Sequence, residues 1–169
     1  MIFVTVGNAT QGFRRLLDAV DRFAGEGLFR EDEVFIQSGN CPGFRPVYCK
    51  YEPFVSRDNF ERYIQVATLV ICHAGATLFE VIRAGKLPVV MPRRKKYAEI
   101  IDDHQFELVR VLETERRVIP AYEPDQLPAA VLEASRRISG PAPAPSSQMH
   151  QLVSDAIAEF MGYVRTQRT

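Results

Sequence analysis

A Rossmann-like α/β fold, a mostly parallel sheet flanked by helices, is what this 169-residue sequence predicts, and three observations predict it. Short β-rich runs alternate with segments of helical period along the chain, which is how strand–helix–strand units read in sequence. Several of those runs are continuous aliphatic stretches, as strands buried on both faces must be. No repeat at a fixed period is visible, which argues against solenoids and propellers.

Taken in order, the strands are expected at Ile2–Val6, Glu33–Gln37, Val47–Lys50, Thr68–Cys72, Leu87–Met91 and Val118–Ile119. Between the first two, Phe13, Leu16, Leu17, Val20 and Phe23 share one helical face and predict a helix over 11–24. Further helices are expected over 57–66, 76–84, 104–113 and 124–138. The helix at 76 follows a glycine turn, and the last opens at Pro124, whose missing amide is harmless at an early helical position. The α/β domain is therefore expected over 1–139. Gly140-Pro-Ala-Pro-Ala-Pro-Ser-Ser cannot continue a helix, because its prolines lack amide donors, so 140–148 reads as a stiff linker. Beyond it, Met149, Leu152, Val153, Ala156, Ile157, Phe160 and Met161 recur at helical spacing and predict an amphipathic helix over 149–163. Its apolar stripe packs either on the domain's own sheet or on a partner.

Composition narrows the class. Apolar residues make up 46% and charged residues 25%, the balance of a soluble globular domain. With 21 basic against 21 acidic side chains, the chain lacks the cationic excess that holds a nucleic acid backbone. Any anion site must be local. The three cysteines, Cys41, Cys49 and Cys72, are odd in number and show no C-x-x-C spacing, which suits a reducing cytoplasm. The start Met-Ile-Phe-Val-Thr-Val-Gly reads as a strand, not as a signal peptide, and is expected to begin the fold. The least polar stretch, Tyr63 to Phe79, is broken by Gln65, His73 and a turn glycine, so no direct transmembrane insertion is expected. Membrane contact would be peripheral, through a partner.

Ligands of open parallel sheets sit beyond the carboxyl ends of the strands, so the loops leaving each strand are the places to look. The first strand runs into Gly7-Asn8-Ala9-Thr10-Gln11-Gly12, whose amides could approach a phosphate or sugar, or merely turn the chain. The second ends in Gln37-Ser38-Gly39-Asn40, which offers donors and acceptors at the same edge. The fourth leads into Cys72-His73-Ala74-Gly75-Ala76-Thr77-Leu78-Phe79-Glu80. There small residues open a helix whose first amides lack internal partners and favour an anion.

Thr77 and Glu80 fit a T-x-x-E capping box, which would be structural, yet Glu80 also suits the two hydroxyls of a ribose. Both readings stay open. His73 could donate to a phosphate or move a proton at neutral pH. Arg93-Arg94-Lys95-Lys96 could meet phosphates or an anionic lipid surface, although four such charges usually form a solvated loop. Asp102-Asp103-His104-Gln105 marks a helix start, with Asp as cap and Gln105 able to face the cleft. No second ligand pair accompanies this cluster, so no metal is expected.

With these loops together, the chain resembles the C-terminal, donor-binding domain of glycosyltransferase family 28, the second half of a GT-B enzyme. In particular it resembles the stand-alone cytosolic subunits of split UDP-N-acetylglucosamine transferases and of bacterial exopolysaccharide transferases. The likeness covers roughly residues 1–135 and rests on Pro53-Phe54, Ala67-Thr-Leu-Val-Ile-Cys-His-Ala-Gly75, Glu80, Gly85-Lys86 and Asp103-His104-Gln105. It implies that the backbone beside Phe54 and Val55 reads a uracil edge, Glu80 holds the ribose, and Gly75, Ala76 and Thr77 cradle a diphosphate. It further implies that Gln105, with Asp103 or His104, touches the donor sugar, while Gly7 and Asn8 face the cleft between two halves. The Gly75–Glu80 turn is one residue shorter than is usual in the family.

Those implications predict a hexosyltransferase subunit of polysaccharide or lipid-linked glycan biosynthesis. It would be inverting and metal-independent, since the chain has no D-x-D motif, and would use a UDP-sugar as donor substrate and no cofactor. The acceptor face and the general base would come from a membrane-associated partner subunit, making a heteromer. Two rivals differ in class. A dinucleotide-binding domain fits the alternation, but Gly7-x-x-x-x-Gly12 is not G-x-G-x-x-G and Gln37 stands where a ribose-binding acid belongs. A non-catalytic scaffolding subunit would keep the fold without the chemistry.

Overall fold

The computed structural model describes residues 1–30 and 32–138; the expected linker at 140–148 and helix at 149–163 lie outside the described residues. Strands β1 (Ile2–Thr5), β2 (Val34–Gln37) and β4 (Leu69–Cys72) are buried at every position, as their unbroken aliphatic runs demand. With β3 (Lys50–Glu52), β5 (Val89–Val90) and β6 (Ile119–Pro120) they form one six-stranded sheet in the order β3-β2-β1-β4-β5-β6. Every pairing is parallel, with Phe3 opposite Phe35 on one side and Val70 on the other. Pro120 sits on the edge strand, where a residue without an amide donor breaks no ladder.

Alternation along the strands sorts the core into two layers. Ile2, Val4, Val34, Ile36, Leu69 and Ile71 pack with α1 (Arg14–Gly25) and α5 (Leu127–Ile138). Phe3, Phe35, Val70 and Cys72 pack with α2 (Arg57–Val66), α3 (Ala76–Arg83) and α4 (His104–Thr114). The second layer carries an aromatic group in which Phe3 meets Phe60 edge-on and Phe35 lies 4.7 Å from the Tyr63 ring. Burial in this layer pushes the Cys72 thiol up to about 12.

One local expectation is corrected and one open reading is decided. The third strand was expected at Val47–Lys50 but pairs only from Lys50, because the amides of Val47 and Tyr48 donate to the Asp21 carboxylate of α1, both at 2.9 Å. A side chain has taken the donors that a neighbouring strand would need, and both residues stay exposed. Of the two readings left open for Thr77 and Glu80, the capping box does not form, since α3 is capped by Gly75 with no side-chain bond. A capping box does form elsewhere, between Glu123 and Gln126. It opens the short 3-10 turn Pro124–Gln126 that leads into α5.

For function, the useful consequence is the strand order. β1 is flanked by β2 on one side and β4 on the other, so the chain winds outward in both directions from that point. The crevice between the loops leaving β1 and β4 is where ligands of such sheets bind.

Candidate functional site

Parallel strands bring the loops after β1, β2, β3 and β4 to one edge, and Gln37 at the end of β2 fastens three of them. Its buried amide donates to the Gly7 carbonyl at 3.3 Å, to Asn8 Oδ1 at 3.3 Å and to the Pro53 carbonyl at 3.2 Å. Its oxygen accepts the Thr5 hydroxyl. Every polar atom of Gln37 is thus used within the fold, so its expected part as an open donor contact is corrected to a structural one. Gly39 stands where any side chain would collide with the Gly7 carbonyl, a Cβ there falling 2.5 Å from that oxygen. Asn40 completes the clamp by donating to the carbonyls of Asn8 and Ala9 at 3.3 and 2.9 Å.

His73, leaving β4, wedges its ring between two glycines. A Cβ on Gly7 would lie 2.6 Å from His73 Cε1, and one on Gly75 would overlap Nε2. Burial, and then the positive charge of Arg93 nearby, lower its pKa to about 3, so the imidazole is neutral at physiological pH. Nδ1 is buried without a hydrogen-bond partner among the described residues. The expected proton carrier is therefore a neutral spacer that sets the distance between the β1 loop and the α3 turn.

That turn carries the local anion potential. Gly75 caps α3 in an extended conformation, and Leu78 N donates back to its carbonyl at 2.9 Å. Among the described residues no acceptor meets the amides of Ala76 and Thr77, and Ala76 is exposed. Two amides at the start of α3, next to β1 in the sheet order, thus have no acceptor within the described fold, at the helix end whose dipole favours an anion. One turn further, the half-buried Glu80 pairs with Arg57 at the start of α2, at 2.9 and 3.1 Å. Both line a polar groove with Asp58, Arg62 and Arg83. Phe54 presents a half-exposed ring after β3, while Val55 tucks against the core.

The β5 side is more ordered than four consecutive cations suggest. Arg93 is fully buried and donates to the carbonyls of Val6, Gln11, Gly12 and Glu99 at 2.8–3.2 Å. Arg94 lies over Phe106 and 3.4 Å from Asp103, so the solvated-loop expectation is corrected for Arg93 and Arg94, while Lys95 and Lys96 stay exposed, Lys96 paired with Glu123. Gln105, also buried, accepts from Arg93 N at 3.1 Å. Asp103 accepts from Lys95 N, while Asp102 takes both the His104 amide and its ring nitrogen. Asp103 is thus the N-cap residue of α4 without a side-chain bond, and the Asp102 carboxylate takes the first helical amide instead.

Sequence reasoning missed Arg15 and Glu99, a buried pair at 2.9 Å in which Arg15 also donates to the carbonyls of Pro92 and Tyr122. Arg57 was missed as well. Each lies in a run whose pattern signals only a helix or a loop, so no signal could have found them. Among the described residues, no three His, Cys, Asp or Glu side chains are placed to hold a metal ion, and no helix is long and apolar enough to cross a membrane.

The glycosyltransferase family 28 C-terminal domain matches residues 1–160. The chain belongs to that family. A solved glycotransferase of kitacinnamycin has the same fold, with a TM-score of 0.57 at 16% identity, covering 83% of this chain and 35% of that one. MurG from Acinetobacter baumannii follows at 0.49 and 19% identity, covering 89% and 48%. SnogD from Streptomyces nogalater follows at 0.43 and 17%, covering 92% and 44%. The family 28 domain thus spans less than half of each of these structures. None of the curated proteins compared with it matches. Its parallel sheet and flanking helices are those of the C-terminal half of a GT-B glycosyltransferase.

Proposed function

We propose that this family 28 domain binds a UDP-sugar and serves as the donor half of an inverting, metal-independent transferase. It would move N-acetylglucosamine or a related sugar to a lipid-linked or polysaccharide acceptor. The observation that carries the proposal is the pair of amides without an acceptor in the described fold, Ala76 and Thr77, at the start of the helix that follows β4 at the topological switch. Transfer expels a nucleoside diphosphate, so a catalyst must meet charge growing on the leaving group, and amides fixed at a helix start do so without reorganising.

The other roles follow the edge. Backbone beside Phe54 and Val55 receives the uracil, Glu80 accepts the ribose hydroxyls, and Gly75 to Thr77 receive the diphosphate. Gln105, with Asp103 and His104, contacts the sugar. Gly7 and Asn8, held by Gln37 and Gly39, face the acceptor half. The general base and acceptor surface belong to a membrane-associated partner in the cytoplasm, since the His73 ring is buried and, with its pKa lowered to about 3, too weakly basic to take the acceptor's proton. The chain alone would bind donor and turn over little.

One observation favours a non-catalytic subunit instead: Glu80 already has a cationic partner in Arg57, and the turn before it is short. Thermal unfolding separates the two. UDP and UDP-N-acetylglucosamine raise Tm, by about 2.7 kcal/mol of added stability at a hundredfold excess over Kd, and NAD does not. Absence of any shift with UDP compounds refutes the donor role and leaves the scaffold.

A further inference from the structure

We infer that Arg93 is the positioning residue that sets the donor-sugar contact, by locking the β1 loop and Gln105 into one rigid unit. The inference rests on the donor-binding reading above. Its buried guanidinium reaches Val6, Gln11 and Gly12 on the β1 loop and Glu99 beyond β5, while its own amide holds Gln105 Oε1 at 3.1 Å. With the oxygen engaged, the amide nitrogen of Gln105 is the end left for a sugar hydroxyl or acyl oxygen. One residue therefore ties both ends of the β1 loop through its guanidinium and aims Gln105 through its main-chain amide, whose place the buried side chain holds. Phe13 closes the other side, with its ring 4.8 Å from the guanidinium carbon. A planar fork with several donors suits this task and an ammonium does not.

The test measures binding of UDP and of UDP-N-acetylglucosamine by calorimetry on the full chain, for the wild type, Arg93→Lys, Arg93→Met, Gln105→Ala and the double variant. The expected result is that Arg93 substitution lowers the preference for the sugar nucleotide over UDP by about tenfold, the worth of one well-made hydrogen bond. Binding of UDP itself changes little. The double variant loses no more than Gln105→Ala alone, because the two act as one unit.

Arg15→Met removes a neighbouring buried guanidinium that touches neither the β1 loop nor Gln105. It lowers Tm and leaves the preference intact. An unchanged preference in folded Arg93 variants, additive losses, or an equal loss in Arg15→Met overturns the inference. Should both Arg93 variants fail to fold, amide exchange in the wild type decides. UDP-N-acetylglucosamine, and not UDP, slows exchange at the Arg93 amide, and equal exchange overturns the inference. A wild type that binds neither nucleotide instead refutes the donor reading itself.

Discussion

Replacing Glu80 by alanine separates a binding carboxylate from a structural one. In the structure Glu80 caps nothing, because α3 begins at Gly75 without a side-chain bond. Its one side-chain partner among the described residues is Arg57, whose side chain is 63% exposed, so solvent screening leaves that ion pair little to contribute. Alanine is also the better helix former. The fold should therefore lose less than about 1 kcal/mol, a Tm change of about 2–4 °C at this size. A ribose held by two charge-assisted hydrogen bonds would by contrast lose about 1.5–3 kcal/mol, or roughly 10- to 150-fold in Kd. Titration calorimetry with UDP, beside a thermal melt, reads both numbers. An affinity within twofold of the wild type, or a collapse of Tm with affinity retained, refutes the reasoning.

His73 gives a pH signature: its folded pKa of about 3 lies below the unfolded value near 6.5, so its contribution to stability is complete above pH 6.5 and is lost as pH falls toward 3. Urea midpoints at pH 7.5, 6 and 5 should fall in the wild type and fall less in His73→Asn; parallel curves would contradict the buried neutral ring. Gly75→Ala should destabilise by about 1–3 kcal/mol through overlap with the His73 ring, and His73→Ala should relieve most of it. Additivity in that cycle would show that the ring is not the obstacle. Glu99→Gln should cost about 2–3 kcal/mol by urea denaturation, since it leaves the largely buried Arg15 guanidinium only the half-exposed Glu123 carboxylate, 3.7 Å away, as countercharge. A loss under 1 kcal/mol would mean that the backbone carbonyls suffice.

What could be read from the chain and what could not divide along a physical line. Aliphatic continuity at Ile2–Val6 and Thr68–Cys72, and the helical stripe from Phe13 to Phe23, are local patterns with one favourable burial. The sheet, its helices and the small-residue turn before Ala76 were therefore legible. The strand that misplaced itself, Val47–Lys50, did so because a carboxylate 26 residues away took its amides.

The same distinction governs the site. Residue identity alone located the loops after β1, β2 and β4 and the Asp103–Gln105 start of α4, because strand ends in a parallel sheet share one edge. Only the tertiary structure decided that His73 is a neutral spacer, that Gln37 is spent inside the fold, and that Arg93 lies buried while Lys95 stays exposed. Whether a polar side chain serves a ligand or the fold depends on which carbonyls and charges stand around it. Those neighbours come from residues 30 to 90 positions away, and no local pattern encodes them.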